Sequence, residues 1–162
     1  TTLISTLNFC FSVIAISETW ATDLCDENLN IPGYILFSKP RSARGGGASL
    51  YVRENISCTS RPDLSVDSDG TCESIFIKIS DYFRRNTVVG CLYRAPNNDL
   101  KLFNENFDGF LHKLNKEHAS CVIAGDYNIN LLNDEVHIHN DTLSFVNNMF
   151  SRLFIPVISR PN

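Results

Sequence analysis

Cys121-Val122-Ile123-Ala124-Gly125-Asp126 runs from apolar residues through a glycine to a carboxylate, and Val13-Ile14-Ala15-Ile16-Ser17-Glu18 does the same with a serine in the glycine's place. Short, uncharged apolar runs of this kind read as buried strands with both faces covered. Residues at the ends of strands in layered α/β proteins are the ones a ligand crevice exposes. If the two strands lie in one sheet with the same orientation, Glu18 and Asp126 converge on one rim. Two carboxylates held close repel, and a hard divalent cation is a common way to hold them together. Mg²⁺ suits such a site because it binds through one or two carboxylates and keeps waters for a phosphate. The competing reading makes each acid a solvated turn residue that simply ends its strand.

Working outward, Asn128 follows Asp126 by two residues and shares its side of the chain if extended. Its amide both accepts and donates, which suits orienting a phosphate oxygen or a neighbouring carboxylate. A third apolar run, Val88-Val89-Gly90-Cys91-Leu92, ends in Tyr93 and is followed by Arg94-Ala95-Pro96-Asn97. A phenol and a guanidinium at a third strand end offer stabilisation to phosphoryl charge. The plainer reading is a half-buried Tyr before a proline turn.

The rest of the chain supplies a frame for these ends. Phe9 to Ser17 and Tyr34 to Phe37 read as strands, as do Ala48 to Arg53, Ile75 to Ile79 and Thr87 to Tyr93. Ser38 to Gly47 reads as a mobile basic loop, and Ser57 to Gly70 as polar and turn-rich. Leu100, Phe103, Phe107, Leu111 and Leu114 recur at helical spacing behind a cap at Asn98 or Asp99. Asp141 caps a second predicted helix with Leu143, Val146, Phe150 and Leu153 on one face. Strands and helices alternate, so the expected architecture is layered α/β in one domain over 1–162.

Composition narrows the function classes. Hydrophobic residues make up 43%, aromatic residues 10% and charged residues 20% of the chain. Those proportions exclude disorder, collagen and coiled coil. The net charge of −4 argues against a protein that lives by bulk attraction to phosphate. It leaves room for an acidic, metal-loaded cleft. Six Cys residues, at 10, 25, 58, 72, 91 and 121, include no C-x-x-C pair. Cys10, Cys91 and Cys121 fall in apolar runs, where Cys acts as a small hydrophobe, so a reducing compartment is expected. The first 17 residues carry no charge and include ten apolar ones, short of the roughly 20 a bilayer span needs. No basic region precedes them, so no signal peptide or membrane partner is expected. The chain reads as part of a larger protein.

Four boxes occur in order: Ser17-Glu18-Thr19-Trp20, Gly45-Gly46-Gly47-Ala48-Ser49-Leu50-Tyr51-Val52, Tyr93-Arg94-Ala95-Pro96-Asn97 and Gly125-Asp126-Tyr127-Asn128. Together they resemble the endonuclease/exonuclease/phosphatase superfamily, and most closely the apurinic-like endonuclease domain of LINE-type, CR1-like non-LTR retrotransposons. The resemblance implies a four-layer α/β (α+β) sandwich, DNase I-like, with two facing mixed sheets flanked by helices and an active site at their shared rim. It implies a metal-dependent endonuclease acting on DNA with Mg²⁺ or Mn²⁺, preceding a reverse transcriptase in a polyprotein that needs access to the nucleus. Glu18 matches the metal-binding glutamate, Asp126 the aspartate that activates or aligns the attacking water, and Asn128 the asparagine that orients it and the phosphate. Tyr93 matches the tyrosine beside the scissile phosphate. Asn97 and Arg94 stand where the resemblance implies substrate contacts, with Arg94 lengthening the shorter Y-x-P-N form.

Departures from the family are equally specific. No convincing match exists to the asparagine on its first strand, nor to its later aspartate and final S-D-H box, so the domain is expected to be truncated. Without that histidine, little activity is expected from these 162 residues alone. The alternatives are a decayed, inactive fragment of the domain, or a phosphatase of the same superfamily.

Other motifs carry less. His137 and His139 share a face if extended, but zinc would need further ligands and no Cys is near. Gly45 to Gly47 lacks the Lys and Ser/Thr of a phosphate-cradling loop and reads as a flexible hinge. Arg41, Arg44, Arg84 and Arg85 read as solvated surface, and Trp20 as a packing anchor.

Overall fold

Side-chain alternation along two central strands organises the molecule. In β6 (Cys72–Ile79), Ile75, Ile77 and Ile79 face one way, while Cys72 and Phe76 face the other. In β7 (Thr87–Arg94), Val89 and Cys91 join the first set, and Val88 and Leu92 the second. The first set meets Ala48, Leu50 and Val52 of a second sheet, and the second set meets helices. The computed structural model describes residues 10–21, 29–40, 45–65, 67–68, 72–80, 87–130 and 140–152.

The sheet of β1 (Val13–Ser17), β2 (Tyr34–Lys39) and β3 (Ala48–Arg53) has the order β1-β3-β2 and is antiparallel. The other sheet runs β4-β6-β7-β8, where β4 is Cys58–Ser60 and β8 is Ser120–Asp126; β5 (Asp67–Ser68) pairs with β6. It is mixed, because β8 lies parallel to β7. The crossover between them is α1 (Leu100–Lys116), as a parallel pair requires. Its cap is Asp99, whose side chain satisfies two of the free N–H groups of the first turn. The Asp99 carboxylate accepts from the backbone N–H of Lys101 at 2.8 Å and from that of Leu102 at 3.2 Å. α2 (Asn140–Arg152) packs on α1. The result is an α+β sandwich with two facing sheets, and among the described residues the helices lie on one side of it.

An aromatic cluster joins the helices to the mixed sheet. Phe103, Phe107 and Phe110 of α1 meet Phe145 of α2, Phe76 of β6 and Tyr127, with ring centroids 4.8–6.3 Å apart. Tilted and edge-on pairs at that spacing are the favoured geometry of aromatic rings. Tyr127 is buried, yet its hydroxyl has no hydrogen-bond partner. A buried, unpartnered hydroxyl costs about 1–3 kcal/mol. Tyr127→Phe is therefore expected to keep or raise stability, by about 1 kcal/mol in urea unfolding. A comparable loss would mean that the hydroxyl is satisfied in solution.

Several sequence expectations need correction. Among the described residues β1 and β8 are the outer strands of their sheets, not strands covered on both faces: β1 is half-buried throughout, and Val122 of β8 is 49% exposed. Ser57 to Gly70 contributes the short strands β4 and β5, because β6 is long enough to pair with both. In α2 Phe145 is fully buried and Val146 packs against the same cluster, whereas Leu143 is 42% exposed; the Phe150 side chain and Leu153 lie outside the described residues. Cys10 is exposed, and Cys10, Cys58, Cys72, Cys91 and Cys121 are all free thiols. Burial pushes the Cys72, Cys91 and Cys121 thiols up to about 12, which leaves them inert. The His137–His139 pair, Arg41, Arg44, Arg84 and Arg85 lie outside the described residues.

Candidate active site

Three strands deliver their C-terminal ends to one rim between the sheets. Val13 and Ala15 of β1 pack on the inter-sheet core, so the strand runs out toward Glu18 at that core's edge. Tyr93 continues the row of Val89 and Cys91 and so faces the opposite sheet. Its hydroxyl donates to Glu18 Oε1 at 2.8 Å, closing the rim from one sheet to the other. Asp126 is Tyr93's lateral partner in the parallel β7–β8 pair. The condition that both acidic strands share one sheet is thus not met, and the carboxylates approach from facing sheets instead.

Gly125 makes the approach of β8 to β7 possible. Its φ is +151°, and a Cβ there would lie 1.8 Å from the Leu92 carbonyl oxygen. Beyond it the chain turns sharply: Asn128 has a φ of 47°, and its backbone N–H donates to Asp126 Oδ1 at 3.0 Å. That bond holds the Asp126 carboxylate in one orientation.

Arg94 locks this turn to the loop after β7. Its Nε donates to the Tyr127 carbonyl at 2.8 Å, and its Nη2 to the Asn128 carbonyl at 2.7 Å. Nη1 serves the carbonyls of Ala95 and Asn98 at 3.3 and 2.8 Å. Asn128 Nδ2 returns a bond to the Arg94 carbonyl at 2.7 Å. At 5% exposure, with four of its five N–H donors on backbone carbonyls, Arg94 holds the turn after β8 to the loop after β7. Asn128 likewise spends its amide N–H inward, and it orients Asp126 through its backbone. Asn97 is exposed with a φ of 62° in the turn between β7 and α1, open to a ligand.

Tyr93 is 3% exposed. Burial, with the Glu18 hydrogen bond and the charges of Glu18, Asp126 and Glu73, pushes its phenol up to about 12. The phenol therefore stays protonated and able to donate through neutral and mildly alkaline pH. A pKa raised on folding stabilises the fold fully below the unfolded value of about 10 and loses that contribution as pH rises toward the folded value. Tyr93→Phe should cost about 1 kcal/mol from pH 7 to pH 10, and the difference from wild type should shrink above that. Urea unfolding at stepped pH checks this; a difference that shrinks below pH 9 would put the phenol in a far less buried setting.

Two neighbours escaped the sequence reading. Glu73, opposite Tyr93 in the β6–β7 register, is a buried carboxylate whose charge reaches the Tyr93 phenol. A Glu sharing the alternation of Ile75 and Ile77 was the available signal. The glycine run is packed, not a free hinge: Gly46 and Gly47 are buried, and a Cβ at Gly47 would meet Thr19 Oγ1 at 2.5 Å. Trp20 is 59% exposed and anchors no packing.

The donors at this rim are carboxylate and amide oxygens, the hard set that Mg²⁺ or Mn²⁺ takes. Among the described residues no group of three or more His, Cys, Asp or Glu is placed to hold a metal ion. Glu18 and Asp126 match the sparser pattern in which one or two carboxylates share the ion with water and substrate phosphate.

Comparison with known proteins agrees with this architecture. No protein-family model matches the chain, and no curated protein matches it. Among solved structures, the chain resembles the endonuclease domain of TRAS1, a telomere-specific non-LTR retrotransposon, with a TM-score of 0.61 and 11% identity. The match covers 86% of this chain and 57% of that one. The likeness establishes the fold, a DNase I-like two-sheet sandwich. No described helix is long and apolar enough to cross a membrane.

Proposed function

We propose that the rim of Glu18, Tyr93, Asp126 and Asn128 hydrolyses DNA phosphodiester bonds with Mg²⁺ or Mn²⁺, as the nuclease domain of a retrotransposon polyprotein. The observation that carries this reading is the Tyr93–Glu18 hydrogen bond across the two sheets with Asp126 alongside. It gathers two carboxylates and a neutral phenol donor on one open edge of a nuclease-like fold.

In this reading Glu18, with Asp126 beside Tyr93 on the facing sheet, would hold the ion, which when bound would supply polarisation of the phosphate and charge neutralisation at the leaving oxygen. Asp126, fixed by the Asn128 N–H, takes a proton from the attacking water. The water oxygen bonds to phosphorus as the bond to the leaving sugar oxygen breaks, and that oxygen takes a proton from bulk water. Tyr93, neutral and donating to Glu18 Oε1, holds that carboxylate in place, and its single O–H would turn to a non-bridging oxygen once Glu18 is engaged by the ion. In a retroelement the nick would expose a 3′-hydroxyl to prime reverse transcription.

The test is conversion of supercoiled plasmid to nicked circle with Mg²⁺, with and without EDTA. It compares the 162-residue chain alone with the same chain continued by the C-terminal portion of a retrotransposon endonuclease domain. The continued chain is expected to nick, EDTA to stop it, and the shorter chain to be slow. EDTA-insensitive cleavage, or a folded continued chain that never nicks, would refute the reading.

A further inference from the structure

Trp20 is the most exposed large hydrophobic residue among those described, at 59%, and it stands two residues beyond Glu18. Folding normally removes an indole from water, so something must hold it out. The backbone does. Glu18 and Trp20 both have a φ of 55°. This left-handed setting is unusual for any side chain and an outlier for a bulky one. Between them Thr19 turns inward, its Oγ1 enclosed where a Gly47 Cβ would be. The Trp20 N–H donates to the Gly46 carbonyl at 3.0 Å, and Ala21 is buried. The chain is thus pinned before and after an indole that points to solvent. Strained, over-determined geometry of this sort clusters at ligand sites.

We propose that Trp20 is a stacking platform for an unpaired nucleobase, taken from the nucleotide at or next to the phosphate held at the rim. The inference deepens the nuclease reading and depends on it for that phosphate. The reach fits: two residues span at most about 7 Å, and successive nucleotides of one strand are about 3.4 Å apart along a duplex. Charge favours the same answer. A chain of net charge −4 with Glu18, Glu73 and Asp126 at its rim gains little from counterion release, so a polyanion needs an uncharged attraction here. An indole face supplies one, because every base has a π-face and stacking tolerates any sequence. A base still stacked and paired in a duplex has no free face to offer, so the ligand is DNA with a locally unstacked base.

Trp20 is the chain's sole tryptophan, so intrinsic emission reads this residue alone. The experiment titrates the 162-residue chain, in Mg²⁺ with phosphorothioate DNA so that cleavage is suppressed, with a single strand, a duplex carrying one bulged base and a fully paired duplex. The first two are expected to quench the emission and the paired duplex to quench far less. By anisotropy of a labelled bulged duplex, Trp20→Leu should lose about 5- to 150-fold in affinity, while Trp20→Phe, which keeps an aromatic face, keeps most of it. Quenching equal for all three DNAs, no quenching, or Trp20→Leu binding as tightly as wild type would overturn the inference. Selective quenching by a chain whose continued form never nicks would leave the stacking site standing and refute the catalytic reading alone.

Discussion

Asp126→Asn and Asp126→Ala are both expected to reduce Mg²⁺-dependent nicking by the continued chain about 100- to 10,000-fold, the range a positioned general base contributes. The pair separates chemistry from architecture. Asparagine keeps an oxygen that accepts the Asn128 N–H, so the turn after β8 survives, but it cannot take a proton from water. Alanine loses both and should cost about 1 kcal/mol more in stability. Near-wild-type nicking by Asp126→Asn would show that the carboxylate matters only for the turn. Tyr93→Phe should slow nicking by less than either, because the ring stays and one donor is lost.

Gly125→Ala is expected to destabilise the fold by about 3 kcal/mol or more, and to disable the rim with it. The new methyl would sit 1.8 Å from the Leu92 carbonyl oxygen at a φ of +151°. Neither atom is the flexible end of a side chain, so β8 must peel away from β7 and carry Asp126 away from Tyr93. Gly109 is the control, since a Cβ there meets nothing within 4 Å. Gly109→Ala lies in α1 and should gain up to about 1 kcal/mol from helix propensity. Thermal and urea unfolding of the two variants gives opposite signs if backbone geometry at the rim is as described. Equal, small effects would contradict it.

Local patterns in the sequence were legible where one contact surface decides them. The apolar stripe of α1 is one such case: Phe103, Phe107, Leu111 and Leu114 are all buried, because a long amphipathic helix lies along a sheet. α2 packs on α1, where Phe145 enters the core and Val146 packs beside it, a placement shifted from the expected stripe at Leu143. The acidic strand ends were legible too, but not their sheets. Pairing is non-local, so Val13–Ser17 and Ser120–Asp126 read alike, although they belong to opposite sheets. Arg94 looked free for phosphate because nothing in a sequence shows four carbonyl oxygens converging on a guanidinium. Trp20 looked like core because composition ranks an indole as buried; its exposure follows from the left-handed backbone around Thr19 and the close approach of Gly47.

Whether the rim binds a divalent ion can be read without any catalysis. In ¹⁵N-labelled protein, substoichiometric Mn²⁺ broadens the amide signals of residues near the ion. Glu18, Tyr93, Asp126 and Asn128 are expected to broaden first, Mg²⁺ in excess should restore them, and Glu18→Ala should abolish the effect. Broadening centred elsewhere on the chain, or none at these four residues, would contradict a metal-dependent site at this rim.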